Sequence, residues 1–117
     1  MTSRITNAGM AVVPRSKVED YLLLPGIPES RGKVGFFTRV GFTRQEWTAL
    51  RDALLRHVRE HSVAGETRRP FGVHYRVEGP MATPDGRQPM VRSVWIVRHG
   101  ASIPEFLTAC PMRSRKP

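Results

Sequence analysis

The chain has 117 residues, with 19 Lys+Arg against 10 Asp+Glu and a formal net charge of +9. That length suits one domain and leaves no room for a cofactor-binding domain beside a separate substrate domain. The 39% hydrophobic and 25% charged content is that of a folded globular chain. The lone cysteine, Cys110, excludes a disulfide framework, and no run approaches the ~18 apolar residues of a membrane span.

A basic excess points to a polyanionic partner, either nucleic acid or an acidic protein. Only Lys17, Lys33 and Lys116 are lysines, so the excess is mostly arginine, a skew that GC-rich codon usage also produces. The charge is spread, with net +3 over 1–43, +2 over 44–81 and +4 over 82–117, and forms no electrostatic arm. Met1 to Pro14 lacks the apolar stretch of a secretory signal, and the expected address is the cytoplasm. The same stretch has no periodicity, so residues 1–15 are expected to be a flexible N-terminus, with Met10 an alternative start. Residues 16–111 then make a single domain, and 112–117 a basic tail.

Ser16-Lys17-Val18-Glu19 has the pattern of a capping box, predicting a short helix to about Leu23 that stops before Pro25. Residues 25–31 read as a turn. Arg31 to Val40 reads as a second helix with Val34, Phe37 and Val40 on one face, closed by Gly41. Thr43-Arg44-Gln45-Glu46 is another capping box, with Phe42 placed to staple onto Trp47. Trp47, Leu50, Leu54 and Val58 follow as the apolar stripe of a third helix fading near His61. The period then changes to two. Val73, Tyr75 and Val77 alternate with His74, Arg76 and Glu78, a half-buried strand. Thr83-Pro84-Asp85-Gly86 is a turn, Met90–Arg98 a second strand and Glu105–Cys110 a third, with 63–69 available as an edge strand. The expected fold is α+β: N-terminal helices packed on one face of a three- to four-stranded antiparallel sheet.

Several chemistries fail on spacing. Gly32-Lys33 lacks the upstream glycine of a phosphate loop, and no GxSxG elbow is present. His57 and His61, at i and i+4, have no third ligand to complete a zinc site and read as surface or helix-end residues. No metal, nucleotide or other cofactor is expected. One constellation remains. His74, Arg76 and Glu78 share one strand face over roughly 13 Å, opposite Val73, Tyr75 and Val77. A titratable imidazole, a fixed cation and a carboxylate are what metal-independent RNA cleavage asks for: a base for the 2′-OH proton, a cation for the phosphorane-like charge, and an acid for the leaving oxygen. Arg92 and Arg98 extend that surface if register permits, and Thr108 offers a hydroxyl. The same alternation also describes an ordinary solvated strand face. Trp95 reads more naturally as core than as a base-stacking platform, and Lys33 is equally at home as a solvated residue.

The stretches Tyr21-Leu22-Leu23-Leu24-Pro25, Gly32-Lys33, Phe36-Phe37 and Gly41-Phe42-Thr43 resemble the opening of a bacterial family, domain of unknown function 6883. Glu78-Gly79-Pro80, Pro84-Asp85-Gly86-Arg87, Val91-Arg92-Ser93-Val94-Trp95 and Leu107-Thr108-Ala109-Cys110-Pro111 continue the likeness over about residues 17–111. The layout is similar in turn to C-terminal toxin domains of polymorphic and contact-dependent inhibition systems. Those belong to the Barnase–EndoU–colicin–RelE group of metal-independent ribonucleases, several acting on tRNA. The resemblance implies helices followed by a four-stranded antiparallel sheet. It also implies roles for Thr108, Trp95 and Lys33 at the matching last-strand Thr, strand Trp and helix-start Lys. This chain departs from the pattern at Gly32-Lys33, which lacks two intervening residues, at Met90, where an acid is frequent, and at Cys110, where Tyr or Ile is usual.

The resulting expectation is a small ribonuclease-like toxin. His74, Arg76, Glu78 and Thr108 would be catalytic, Lys33, Arg92, Arg98 and Trp95 would contact RNA, and an acidic antitoxin or immunity protein would cover the same face. A non-catalytic RNA- or protein-binding module on the same fold is the alternative, and an accessory subunit with merely compositional charge a third.

Overall fold

The computed structural model describes residues 4–23 and 31–112, the side chains of 31–34 excepted. A 3-10 turn (Ala8–Met10) leads into a helical segment, α1, made of an α-turn (Arg15–Lys17) continuing as a π-turn (Val18–Leu22). Two α-helices follow, α2 (Arg31–Arg39) and α3 (Trp47–Glu60). Then come β1 (Val63–Arg69), β2 (Gly72–Pro80), β3 (Met90–Arg98) and β4 (Glu105–Pro111). The strands pair as an antiparallel meander in the order β1-β2-β3-β4. The expected α+β architecture is the observed one, with the edge strand over 63–69 present as β1. None of the described helices is long and apolar enough to cross a membrane.

One core joins the layers. Leu50, Leu54 and Val58 of α3 meet Val77, Val91, Trp95, Phe106 and Ala109 of the sheet, while Val18, Leu22, Phe37 and Val40 close its β4 side. All are buried, and at about 25 cal/mol per Å² of apolar surface this burial is the main stabilising term. Gly41 ends α2 with φ of 107°, a conformation that strains any residue with a Cβ, and it abuts Pro84 of the β2–β3 loop.

Several expectations are corrected. Residues 4–15 are not a frayed end. Ile5, Ala8 and Ala11 are buried, and Val12 pairs beside β4, its N–H donating to the Pro104 carbonyl while its own carbonyl accepts from the Phe106 N–H. This covers the β4 edge, which would otherwise present unpaired backbone groups. The Ser16–Glu19 capping box does not form: the helix starts at Arg15, and Glu19 instead pairs with Arg15 at 3.1 Å. Thr43 does cap its turn, its Oγ1 accepting from the Glu46 N–H. Phe42 packs against Phe37, and Trp47 lies between the guanidinium groups of Arg15 and Arg51. The predicted 25–31 turn falls, apart from Arg31, outside the described residues, as does the tail beyond Met112.

Candidate functional site

Strand register decides which polar side chains share a surface. Across β2 and β3, His74 stands level with Ile96, Arg76 with Val94, Glu78 with Arg92, and Gly72 with Arg98. β4 continues these rows with Glu105 beside Ile96, Thr108 beside Val94 and Cys110 beside Arg92. β1 places Thr67 beside His74, Gly65 beside Arg76 and Arg69 beside Gly72. Residues level with each other in a sheet lie on the same face. His74, Arg76, Glu78, Arg92, Arg98 and Thr108 therefore share the face opposite the helices, with Arg76 and Thr108 about 10 Å apart at their Cα atoms, two strand spacings.

The charges on this face are not equivalent. Glu78 accepts from Arg92 at 2.8 Å, and Glu105 from Arg98 at 3.3 Å. Both pairs are partly solvated, and such bridges contribute only about 0–1 kcal/mol. Arg76 has no carboxylate partner among the described residues, and its guanidinium lies over Gly65, in space a Cβ there would fill. Thr108 Oγ1 is 3.5 Å from the Tyr21 hydroxyl of α1. His74 is held below its ordinary value of 6.5 by partial burial first, then by the nearby positive charges of Arg69 and Arg98. Its imidazole is therefore neutral at pH 7, and its Nε2 is sealed from solvent without a hydrogen-bond partner.

Two residues from the sequence reading lie elsewhere. Trp95 is wholly buried on the helix-facing side, with Nε1 donating to Ser93 Oγ at 2.8 Å and its ring packed edge-on against Phe106. It offers no face to a partner, which corrects its placement among RNA contacts. Lys33 lies at the start of α2, but its side chain is outside the described residues.

His57 also corrects its surface assignment. It is buried on α3, with Nε2 3.0 Å from the Gly79 carbonyl and Nδ1 2.9 Å from Ser93 Oγ. A carbonyl only accepts, so Nε2 carries the proton and Ser93 donates to Nδ1. His61 packs edge-on against this ring, and its Nε2 lies 2.8 Å from the Pro80 carbonyl. Among the described residues no group of three or more His, Cys, Asp or Glu is arranged to hold a metal.

A cleft of about 490 Å³ opens on the helix-facing side between the N-terminal segment and β1, lined by Asn7, Val63, Glu66, Tyr75 and Val97 among others. It does not include the shared polar face. The Arg4 guanidinium at its rim is engaged by the carbonyls of Arg59 and Glu60 at the end of α3. The chemistry-bearing groups gather instead on the outer sheet face. Two residues there escaped the sequence reading, Arg69 and Phe71, as did Tyr21 of α1, whose hydroxyl reaches Thr108. Phe71 carried a readable signal, since an aromatic between Pro70 and Gly72 at a hairpin tip has little core to enter.

Helices on one face of a four-stranded antiparallel meander, with arginines and a histidine sharing the outer face, define a small α+β domain. The chain belongs to the family described as Domain of unknown function (DUF6883), which it matches over residues 4–113. Its fold is similar to a chain in the structure of a contact-dependent growth inhibition toxin–immunity protein complex from Klebsiella pneumoniae 342. The TM-score is 0.69 at 18% identity, over 87% of this chain and 100% of that one. No protein of curated function matches the sequence.

Proposed function

We propose that this chain is a ribonuclease-like toxin domain that cleaves RNA, with tRNA a candidate, by metal-independent general acid/base chemistry. The observation that carries the reading is the single face on which a neutral His74 stands between Arg76, which has no carboxylate partner among the described residues, and the Arg69 and Arg98 cations. His74 takes the 2′-OH proton through Nδ1, its Nε2 being sealed. The 2′ oxygen bonds to phosphorus as the bond to the 5′ oxygen breaks, and that oxygen leaves with a proton from solvent water, giving a 2′,3′-cyclic phosphate. Arg76, with Arg92 on the same face, steadies the developing phosphorane charge, and Thr108 orients the phosphate. An immunity protein fits the same scheme as an acidic partner over this face, as the fold's likeness to a member of a toxin–immunity complex suggests. Induced expression in a test bacterium should arrest growth and yield RNA fragments ending in cyclic phosphate. Intact RNA and normal growth would overturn the reading.

A second reading, a non-catalytic RNA- or protein-binding module, is favoured by a specific observation. Glu78 and Glu105 are both engaged by arginines, so neither carboxylate of this face stands free to act as the general acid. Salt-sensitive RNA binding without cleavage distinguishes it from the first.

Gly65 tests Arg76 under either reading. A Cβ at position 65 would displace the Arg76 guanidinium from β1. Gly65→Ala should therefore weaken RNA binding several-fold, as Arg76→Ala does, because a lost phosphate contact lowers affinity and flattens its salt dependence. Fluorescence anisotropy across a salt series checks this; an affinity and slope unchanged in Arg76→Ala would show that Arg76 does not hold phosphate.

A further inference from the structure

We propose that Phe71, at the tip of the β1–β2 hairpin, is a stacking platform for an unpaired base of single-stranded RNA, with Arg69 and Arg98 holding the adjoining phosphates. This rests on the RNA-directed reading above and adds to it the form of RNA that is recognised and the residue that recognises it.

Phe71 is 52% exposed, whereas Phe37, Phe106 and Trp95 are sealed in the core. Among the described residues that are large, apolar and exposed, Phe71 is the one aromatic, and an exposed ring offers a large flat face to a partner. The ring is held in place by its surroundings. It forms a two-residue loop with Pro70 between the paired residues Arg69 and Gly72, and its carbonyl accepts from the His99 N–H at 3.0 Å. Its ring lies 5.8 Å from that of His74.

Cations flank it. Arg69 and Arg98 stand on either side of Gly72 in one row of the sheet, on the His74 face. Arg69 has no carboxylate partner among the described residues, and the Arg98–Glu105 bridge is exposed enough to exchange for phosphate. An exposed aromatic ring next to a sheet row that carries two arginines fits an unstacked base flanked by its own phosphates. An RNA duplex keeps its bases stacked on each other and offers no free base face to such a ring. An acidic protein would use the arginines but would leave the ring without a matching π-face.

The test uses the full chain with a fluorescein-labelled 2′-O-methyl RNA of about eight nucleotides, a length within the range single modules cover, whose blocked 2′ oxygens prevent cleavage. Phe71→Ala should weaken binding of the single strand about tenfold, the size of one lost base stack. The slope of log Kd against log salt should stay unchanged, because no phosphate contact is removed. Phe71→Trp should restore the affinity, and duplex binding should be the same in all three proteins. Arg69→Ala should instead flatten the salt slope. Wild-type binding with no loss in Phe71→Ala would overturn the stacking platform while leaving an RNA-binding face. Failure of the wild type to bind either RNA would overturn both this proposal and the reading beneath it. A Phe71→Ala defect confined to an acidic protein partner would overturn it in favour of a protein-docking hairpin.

Discussion

His57→Leu should destabilise the domain by about 2–4 kcal/mol and should also remove much of its sensitivity to mild acid. Leucine nearly matches the imidazole in volume, so the loss is not chiefly a cavity. It comes from leaving the Ser93 O–H without its acceptor, although Trp95 still donates to the Ser93 oxygen, and from removing the donor to the Gly79 carbonyl, each unsatisfied group costing about 1–3 kcal/mol. The acid dependence follows from burial, which is the main reason the His57 pKa is lowered from 6.5 and outweighs the opposing bond to Gly79. The folded protein therefore binds a proton on His57 more weakly than the unfolded chain does. Stability attributable to this group is fully present above pH 6.5 and is lost as pH falls from there towards the lowered folded value. The limiting slope is about 1.4 kcal/mol per pH unit for one proton. His74, also lowered, adds in the same direction, so the comparison of variant with wild type isolates His57. Urea midpoints between pH 5 and 7.5 give the result; equal slopes in the two proteins would refute the buried-neutral account.

What the sequence made legible was whatever depended on near neighbours. The two-residue alternation of His74, Arg76 and Glu78 fixed a strand face, and the apolar run of Met90–Arg98 fixed β3 at both ends. Even the burial of Trp95 follows from parity, because residue 95 alternates with Arg92 and Arg98 and so points away from them. His57 was half legible. It lies three residues after Leu54 and seven after Leu50, on the buried stripe, but its partners Ser93 and Gly79 come from strands far along the chain. Nothing local announces such a pairing. Residues 4–14 were illegible for another reason: a 3-10 turn and a single β-bridge have no repeating period, and their burial depends on the space left beside β4. The candidate site depended on both kinds of information. Its residue types were readable, but which arginines are taken by carboxylates was set by the register of four strands.

His74→Ala should lower the rate of RNA cleavage by about 10²–10⁴-fold, the usual contribution of a positioned general base, while leaving salt-dependent RNA affinity close to that of the wild type. The separation is expected because Arg69, Arg76, Arg92 and Arg98, the residues proposed to contact phosphate, remain in place. The pH profile adds a readout that a merely structural role would not move. A base works in its neutral form, and partial burial together with Arg69 and Arg98 holds His74 below 6.5. The acidic limb of the wild-type profile should therefore lie below pH 6.5. Arg98→Gln removes one of the positive charges opposing protonation, so it should raise the His74 pKa and move that limb to higher pH. Measured at saturating RNA, the shift is free of any change in affinity. Cleavage by His74→Ala at the wild-type rate would exclude His74 as the base. A limb that stays fixed in Arg98→Gln would mean that the titrating group lies elsewhere on the face.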